Sequence, residues 1–225
     1  MGSLSEFLKE WDQQQRAEHI KISLFKLEEV KNWTDAQKQY FVKLFYHLRG
    51  HFHDFLWFMA NHAPTKEAKQ AILGNISEEF GGDKKSHEQL YFEFASALGV
   101  NLIDEVVNQT TYLPFAKEFN RKHLQWLANT DWDGKVIAFA AYERLDNVDY
   151  ADLLSLAQSI GITSRGLLFF EVHKKVQHYE MVEEYLNLKD LWEKDPQKVK
   201  TGFNFIGQHQ NQMWKNLSEA VFNHK

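Results

Sequence analysis

The segment Phe169-Phe170-Glu171-Val172-His173-Lys174-Lys175-Val176-Gln177-His178-Tyr179-Glu180 carries side chains able to hold a metal ion. On a helix turning about 100° per residue, Gln177 lies some 40° from His173 and Glu180 about 20° to the other side. His173, Gln177 and Glu180 therefore form one polar stripe at i, i+4, i+7, flanked by Val172, Val176 and Tyr179. An imidazole nitrogen, an amide oxygen and a carboxylate oxygen are donors that suit a transition metal. A solvated helix face is the plainer reading of the same pattern. His178, about 140° from His173, cannot easily share an ion with it.

Other chemistry-bearing residues stand on other segments. Glu78 and Glu79 close Ile76-Ser77-Glu78-Glu79-Phe80, and His87 opens the next segment after Gly81-Gly82. Glu143 sits in the largely apolar run Ala138-Phe139-Ala140-Ala141-Tyr142-Glu143-Arg144-Leu145. A buried carboxylate must be paired or bind a cation. Arg144, about 100° around the helix, is a poor partner for it. His47 and His51 have metal-compatible i, i+4 spacing, but no nearby carboxylate is expected to join them, and they read as helix-face residues. His62, His209 and His224 join no constellation.

These residues need long elements to position them. Three prolines and eleven glycines in 225 residues leave long uninterrupted segments, which favours helices. Helices are expected over 3–17, from Thr34-Asp35 to His62, over 65–80, 84–98, 102–108 and 113–129. A further helix should run from Asp133 to the Leu145–Asp149 region, followed by a short one over 150–160. Thr163-Ser164 should cap a helix reaching Leu186, and Asp195-Pro196 should open the last, to Phe222. Phe41, Leu44, Phe45, Leu48, Phe52, Phe55 and Leu56 give the second helix its apolar face. The fold class is all-α: a single domain over 1–225, a bundle of seven to nine helices joined by short loops.

Bulk properties exclude several functions. The net charge is −5 with no basic block, so the footprint of a nucleic-acid binder is missing. No apolar run approaches the roughly 20 residues of a membrane helix. The start lacks an apolar signal core, so the cytoplasm is the expected compartment. With no cysteine, disulfides, thiolate ligands and cysteine nucleophiles are all absent.

In order, Asn75-Ile76-Ser77-Glu78-Glu79-Phe80-Gly81, then His87-Glu88-Gln89-Leu90 with Phe94 and Ala97-Leu98-Gly99, then Tyr142-Glu143, then Phe169-Phe170-Glu171-Val172-His173, resemble the heme-oxygenase-like diiron oxidases and oxygenases. That family includes relatives of the protein associating with death domains, an alkene-forming fatty-acid decarboxylase, pyrroloquinoline-quinone synthase and thiamin-salvage TenA-type proteins. The resemblance covers roughly residues 70–186. It implies a heme-oxygenase-like bundle and one or two non-heme iron ions. The family's ligands are a glutamate and a histidine around the first turn, a glutamate on the next core helix, and His-x-x-x-Asp-x-x-His on a later one. Carried over, these fall on Glu78 (with Glu79 as its rival), His87, Glu143 and His173. The aspartate position holds Gln177 and the last histidine position holds Glu180.

The resemblance implies an oxidase or oxygenase acting on a small organic substrate with O2, with Glu143 and His173 at the reacting centre and Tyr142, Tyr179 and Tyr91 near it. It also allows a metal-free oxidase or a TenA-like hydrolase on the same fold, or a non-catalytic interaction protein with a decayed metal site. A homodimer is common for such bundles.

Overall fold

Local capping chemistry sets most helix starts. In the computed structural model, which describes residues 2–82, 84–175 and 187–225, Ser3, Thr34 and Ser86 each accept from the backbone N–H three residues on. In each case the Glu or Gln at that position answers the cap residue's own N–H. These capping boxes begin α1 (Leu4–His19), α3 (Asp35–His62) and α5 (His87–Ala97). Thr65 caps α4 (Lys66–Glu79). Asp131 caps α8 (Trp132–Ser159), and Asp195 with Pro196 at the first position starts α11 (Pro196–Phe222). The remaining helices are α2 (Leu27–Val30), α6 (Ile103–Asn108), α7 (Pro114–Ala128), α9 (Leu168–Lys175) and α10 (Leu188–Lys194). Among the described residues there are eleven α-helices and no strand.

The bundle packs around α8. Val136 to Glu143 are buried without a break, and burial continues through Leu145, Val148, Asp149, Tyr150, Leu153 and Leu154. A helix apolar around its whole circumference belongs in the middle. α8 packs chiefly on α9 and α11. One apolar cluster joins Leu8 and Trp11 of α1 to Phe55 and Met59 of α3, Ile72 and Ile76 of α4, and Phe203 of α11. A second joins Phe41 and Phe45 of α3 to Tyr91 and Phe94 of α5, Phe169 and Phe170 of α9, and Trp214 of α11. Edge-on ring pairs such as Tyr91–Phe169 (5.0 Å, 88°) stiffen the second cluster, each worth about 0.5–1.5 kcal/mol beyond area burial. Among the described residues no helix is long and apolar enough to cross a membrane.

Four differences from the sequence expectations have physical causes. α8 does not end near Leu145–Asp149; it runs on to Ser159. The Asp149 carboxylate, at the end expected for this helix, bonds across the bundle to Gln210 and Trp214. The 163–186 helix does not start at a Thr163-Ser164 cap. Thr163 makes no side-chain cap bond, Ser164 has φ +50°, and a 3₁₀ turn (Ser164–Leu167) leads into α9. The stretch between α1 and α3 contains a 3₁₀ turn and α2. Finally, α10 lies where no helix was expected, held by buried Leu188 and Trp192. The extra short pieces raise the helix number above the expected seven to nine.

Candidate metal centre

The last turn of α4 delivers a carboxylate to the interior. Ile72, Asn75, Ile76 and Glu79 form its buried stripe at i, i+3, i+4, i+7. Consecutive residues diverge by about 100°, so only one of the two adjacent glutamates can face inward. The register selects Glu79, which is buried, while Glu78 is exposed. Among the described residues it is Glu79, the rival of Glu78 in the family pattern, that groups with His87 and His173. Gly81 then reverses the chain at φ +92°. A Cβ there would lie 2.5 Å from both the Lys84 carbonyl oxygen and the Ser86 nitrogen, so the turn needs a glycine. His87, first residue of α5, thereby returns to Glu79.

Glu79 Oε1 accepts from His87 Nδ1 at 2.8 Å and Oε2 lies 3.3 Å from His53 Nε2. Arg49 Nη2 lies farther off, 3.7 Å from Oε2. Burial pushes the Glu79 carboxyl up, but the His53 and His87 hydrogen bonds outweigh it and hold the group well below the usual carboxylate range. A carboxylate bonded to Nδ1 orients an imidazole with Nε2 outward, the arrangement seen behind metal-bound histidines.

α9 brings His173 to the same place. Its Nδ1–H donates to the Phe169 carbonyl at 2.7 Å, leaving Nε2 as a lone-pair donor. Burial pushes the His173 pKa down to about 3, so the imidazole is neutral. The ring stacks on Tyr150 (4.1 Å, 11°) and meets the His87 ring at 4.3 Å. Glu79, His87 and His173 each offer a ligand atom, and these atoms lie within 4.8 Å of one another.

Beside this group lies a cavity of about 30 Å³, lined by Glu79, His173, Arg49, Asp146, Tyr142 and Tyr150 among others. Burial, and then the nearby charges of Glu143, Asp149 and Glu79, push the Asp146 carboxyl well up. Among the described residues Asp146 thus has acid neighbours and no hydrogen bond, in a position that a cation would satisfy. Asp149 is different: its Oδ1 lies 2.9 Å from His19 Nε2, and Oδ2 accepts from Gln210 (3.0 Å) and Trp214 (3.1 Å).

The other sequence candidates fall as follows. Glu143 is buried one turn before Asp146, and among the described residues it is outside the group of three. Gln177, Glu180, His178 and Tyr179 lie outside the described residues. Tyr142 lines the cavity, whereas the Tyr91 hydroxyl donates to the Val42 carbonyl at 2.6 Å. Arg144 forms a two-point pair with Asp12, 2.7 Å at each contact. His47 does have a carboxylate partner, Glu105 of α6 at 2.9 Å, which lies far off in sequence. His51 Nε2 lies 3.0 Å from His123 Nδ1, and His209 packs against that His123 ring, so His209 does join a constellation.

Sequence reasoning missed Arg49, His53, Asp146 and Tyr150. Asp146 was findable: it stands at i+3 from Glu143, hence on a neighbouring face. Arg49 and His53 share α3 at i, i+4, but nothing local to them points at Glu79.

Comparisons with known proteins identify the fold and the family. Two crystal structures of a CADD-like protein of unknown function from Nostoc punctiforme share the fold. The one at 1.35 Å resolution matches with a TM-score of 0.70 and 16% identity over 96% of each chain. The one at 2.00 Å matches with a TM-score of 0.73 and 17% identity, over 96% of this chain and 99% of that one. No curated protein matches the chain. Residues 39–199, which contain Glu79, His87, Asp146 and His173, match the family described as iron-containing redox enzymes, and the chain belongs to that family.

Proposed function

We propose that the chain is a non-heme iron oxidase or oxygenase acting with O2 on a small organic substrate. One observation carries this reading: Glu79, His87 and His173 converge from α4, α5 and α9, with the tautomer of both imidazoles set by a hydrogen bond at Nδ1. Such a donor set of imidazole nitrogens and carboxylate oxygens fits ferrous iron. The Asp146 carboxyl at the cavity wall adds to the fit, because a bound cation would offset the acids gathered around it.

Glu79, His87, His173 and Asp146 would hold the metal, with Glu143, Gln177 and Glu180 as further ligands for a second ion. Bound ferrous iron supplies O2 activation and one-electron chemistry that side chains lack. The protein's part is positional. Glu79 keeps the proton of His87 on Nδ1, and the Phe169 carbonyl does the same for His173. Tyr142 and Tyr150 line the cavity, and the Phe169 and Tyr150 rings pack against His173.

Anaerobic titration with ferrous iron, followed by gel filtration and metal analysis, tests the reading. One or two ions retained per chain, with an absorbance change on admitting O2, is the expected outcome. A chain that retains no iron under these conditions overturns it.

A further inference from the structure

Arg49 is a buried cation whose hydrogen-bonding capacity the described residues leave almost unused. It lies mid-way along α3, is 8% exposed, and lines the cavity. Its guanidinium carbon sits 5.6 Å from the Tyr91 ring centroid and 5.4 Å from that of Phe169. Among the described residues its one ion-pair neighbour is Glu79, at 3.7 Å, beyond hydrogen-bond reach. Glu79 needs no help from it, since His87 and His53 approach its oxygens more closely. Arginine carries five N–H donors in a planar fork and cannot give up its proton, so burial cannot be eased by neutralisation.

We infer that Arg49 seats a small oxyanion, the carboxylate of a one- or two-carbon acid or the carboxylate end of the substrate, in the cavity beside Glu79 and His173. The inference rests on the same cavity as the proposed function but needs no metal. The guanidinium fork matches a carboxylate in two-point fashion, and its aromatic bed fixes its plane. The size sets an upper limit: a cavity of about 30 Å³ has room for little more than a carboxylate group. Three carboxylates, Glu79, Asp146 and Asp149, share the cavity wall with Arg49; Asp149 is answered by His19, Gln210 and Trp214, and Glu79 by His87 and His53 more closely than by Arg49.

The test uses the metal-free full chain and four probes: formate, acetate, bicarbonate and the neutral isostere formamide. Binding is read by calorimetry and by broadening of the formate carbon resonance. Saturable one-to-one binding of formate is expected, with formamide at least about tenfold weaker. Arg49→Gln should lose formate binding, and Arg49→Lys should keep it only weakly because the fork is gone. Equal binding of formate and formamide by the wild-type chain overturns the inference, as does undiminished formate binding by a folded Arg49→Gln variant. Binding of bicarbonate in preference to formate or acetate overturns the assignment to a carboxylic acid. The wild-type comparison stands even if Arg49→Gln fails to fold. Iron titration of the same samples separates the two readings, since failure to hold iron leaves the formate result intact.

Discussion

His19 ties the amino-terminal helix to the wall of the cavity, and its charge makes the tie depend on pH. The imidazole lies 2.9 Å from Asp149 through Nε2 and 2.8 Å from Asp152 through Nδ1. Burial alone pulls its pKa down, but the two aspartates beside it outweigh that and lift it to about 9 from 6.5. A tenfold change in proton affinity between the folded and unfolded chain is worth about 1.36 kcal/mol, so the protonated pair contributes on the order of 3 kcal/mol. Because the folded pKa is the higher one, this stability is fully present below the unfolded value of 6.5 and is lost as pH rises through about 9. Against a total stability of roughly 10–20 kcal/mol for a chain of this length, the loss is measurable. The assay is urea unfolding of wild type and His19→Gln from about pH 6 to about pH 10. The gap between the two should shrink by about 3 kcal/mol across that range, while tyrosine and lysine titrations cancel in the difference. A gap that stays constant with pH refutes the ion-paired imidazolium.

Three further outcomes follow from the site. Glu79→Gln should weaken iron retention by about 10–100-fold, while Glu78→Gln should leave it unchanged, both read by competition with a coloured chelator. Asp146→Asn should raise the melting temperature of the metal-free protein, because it removes a desolvated acid from among other acids, and lower iron retention; a lower melting temperature would contradict the placement. Gly81→Ala should cost about 1–3 kcal/mol in urea unfolding, since the turn has φ +92° and no room for a methyl group.

Much of the fold was legible because helix signals are local. The Thr34 and Ser86 caps, Pro196, and the stripe from Phe41 to Leu56 each act within a few residues, and those helices form where expected. α8 continues through Asp146, Asn147 and Asp149, residues of poor helix propensity, and of these Asp149 is held by Gln210, Trp214 and His19 from distant helices. The choice between Glu78 and Glu79 was in fact readable: Ile72 and Ile76 define the buried face, and Glu79 extends it. Arg49, His53 and the His47–Glu105 pair were not readable, since each acquires its meaning from a helix distant in sequence.

The Gly81 turn also sets a timetable. Glu79 and His87 are eight residues apart and meet through a corner of two short helices. His173 must wait until α5 to α8 have been laid down between them. Closing a short loop costs little entropy and closing the long one costs more. During synthesis, two of the three converging residues are therefore made well before the chain that carries the third. If the proposed metal binds there, an ion held at that corner would reward the later docking of α9, and metal supply would raise the yield of folded protein.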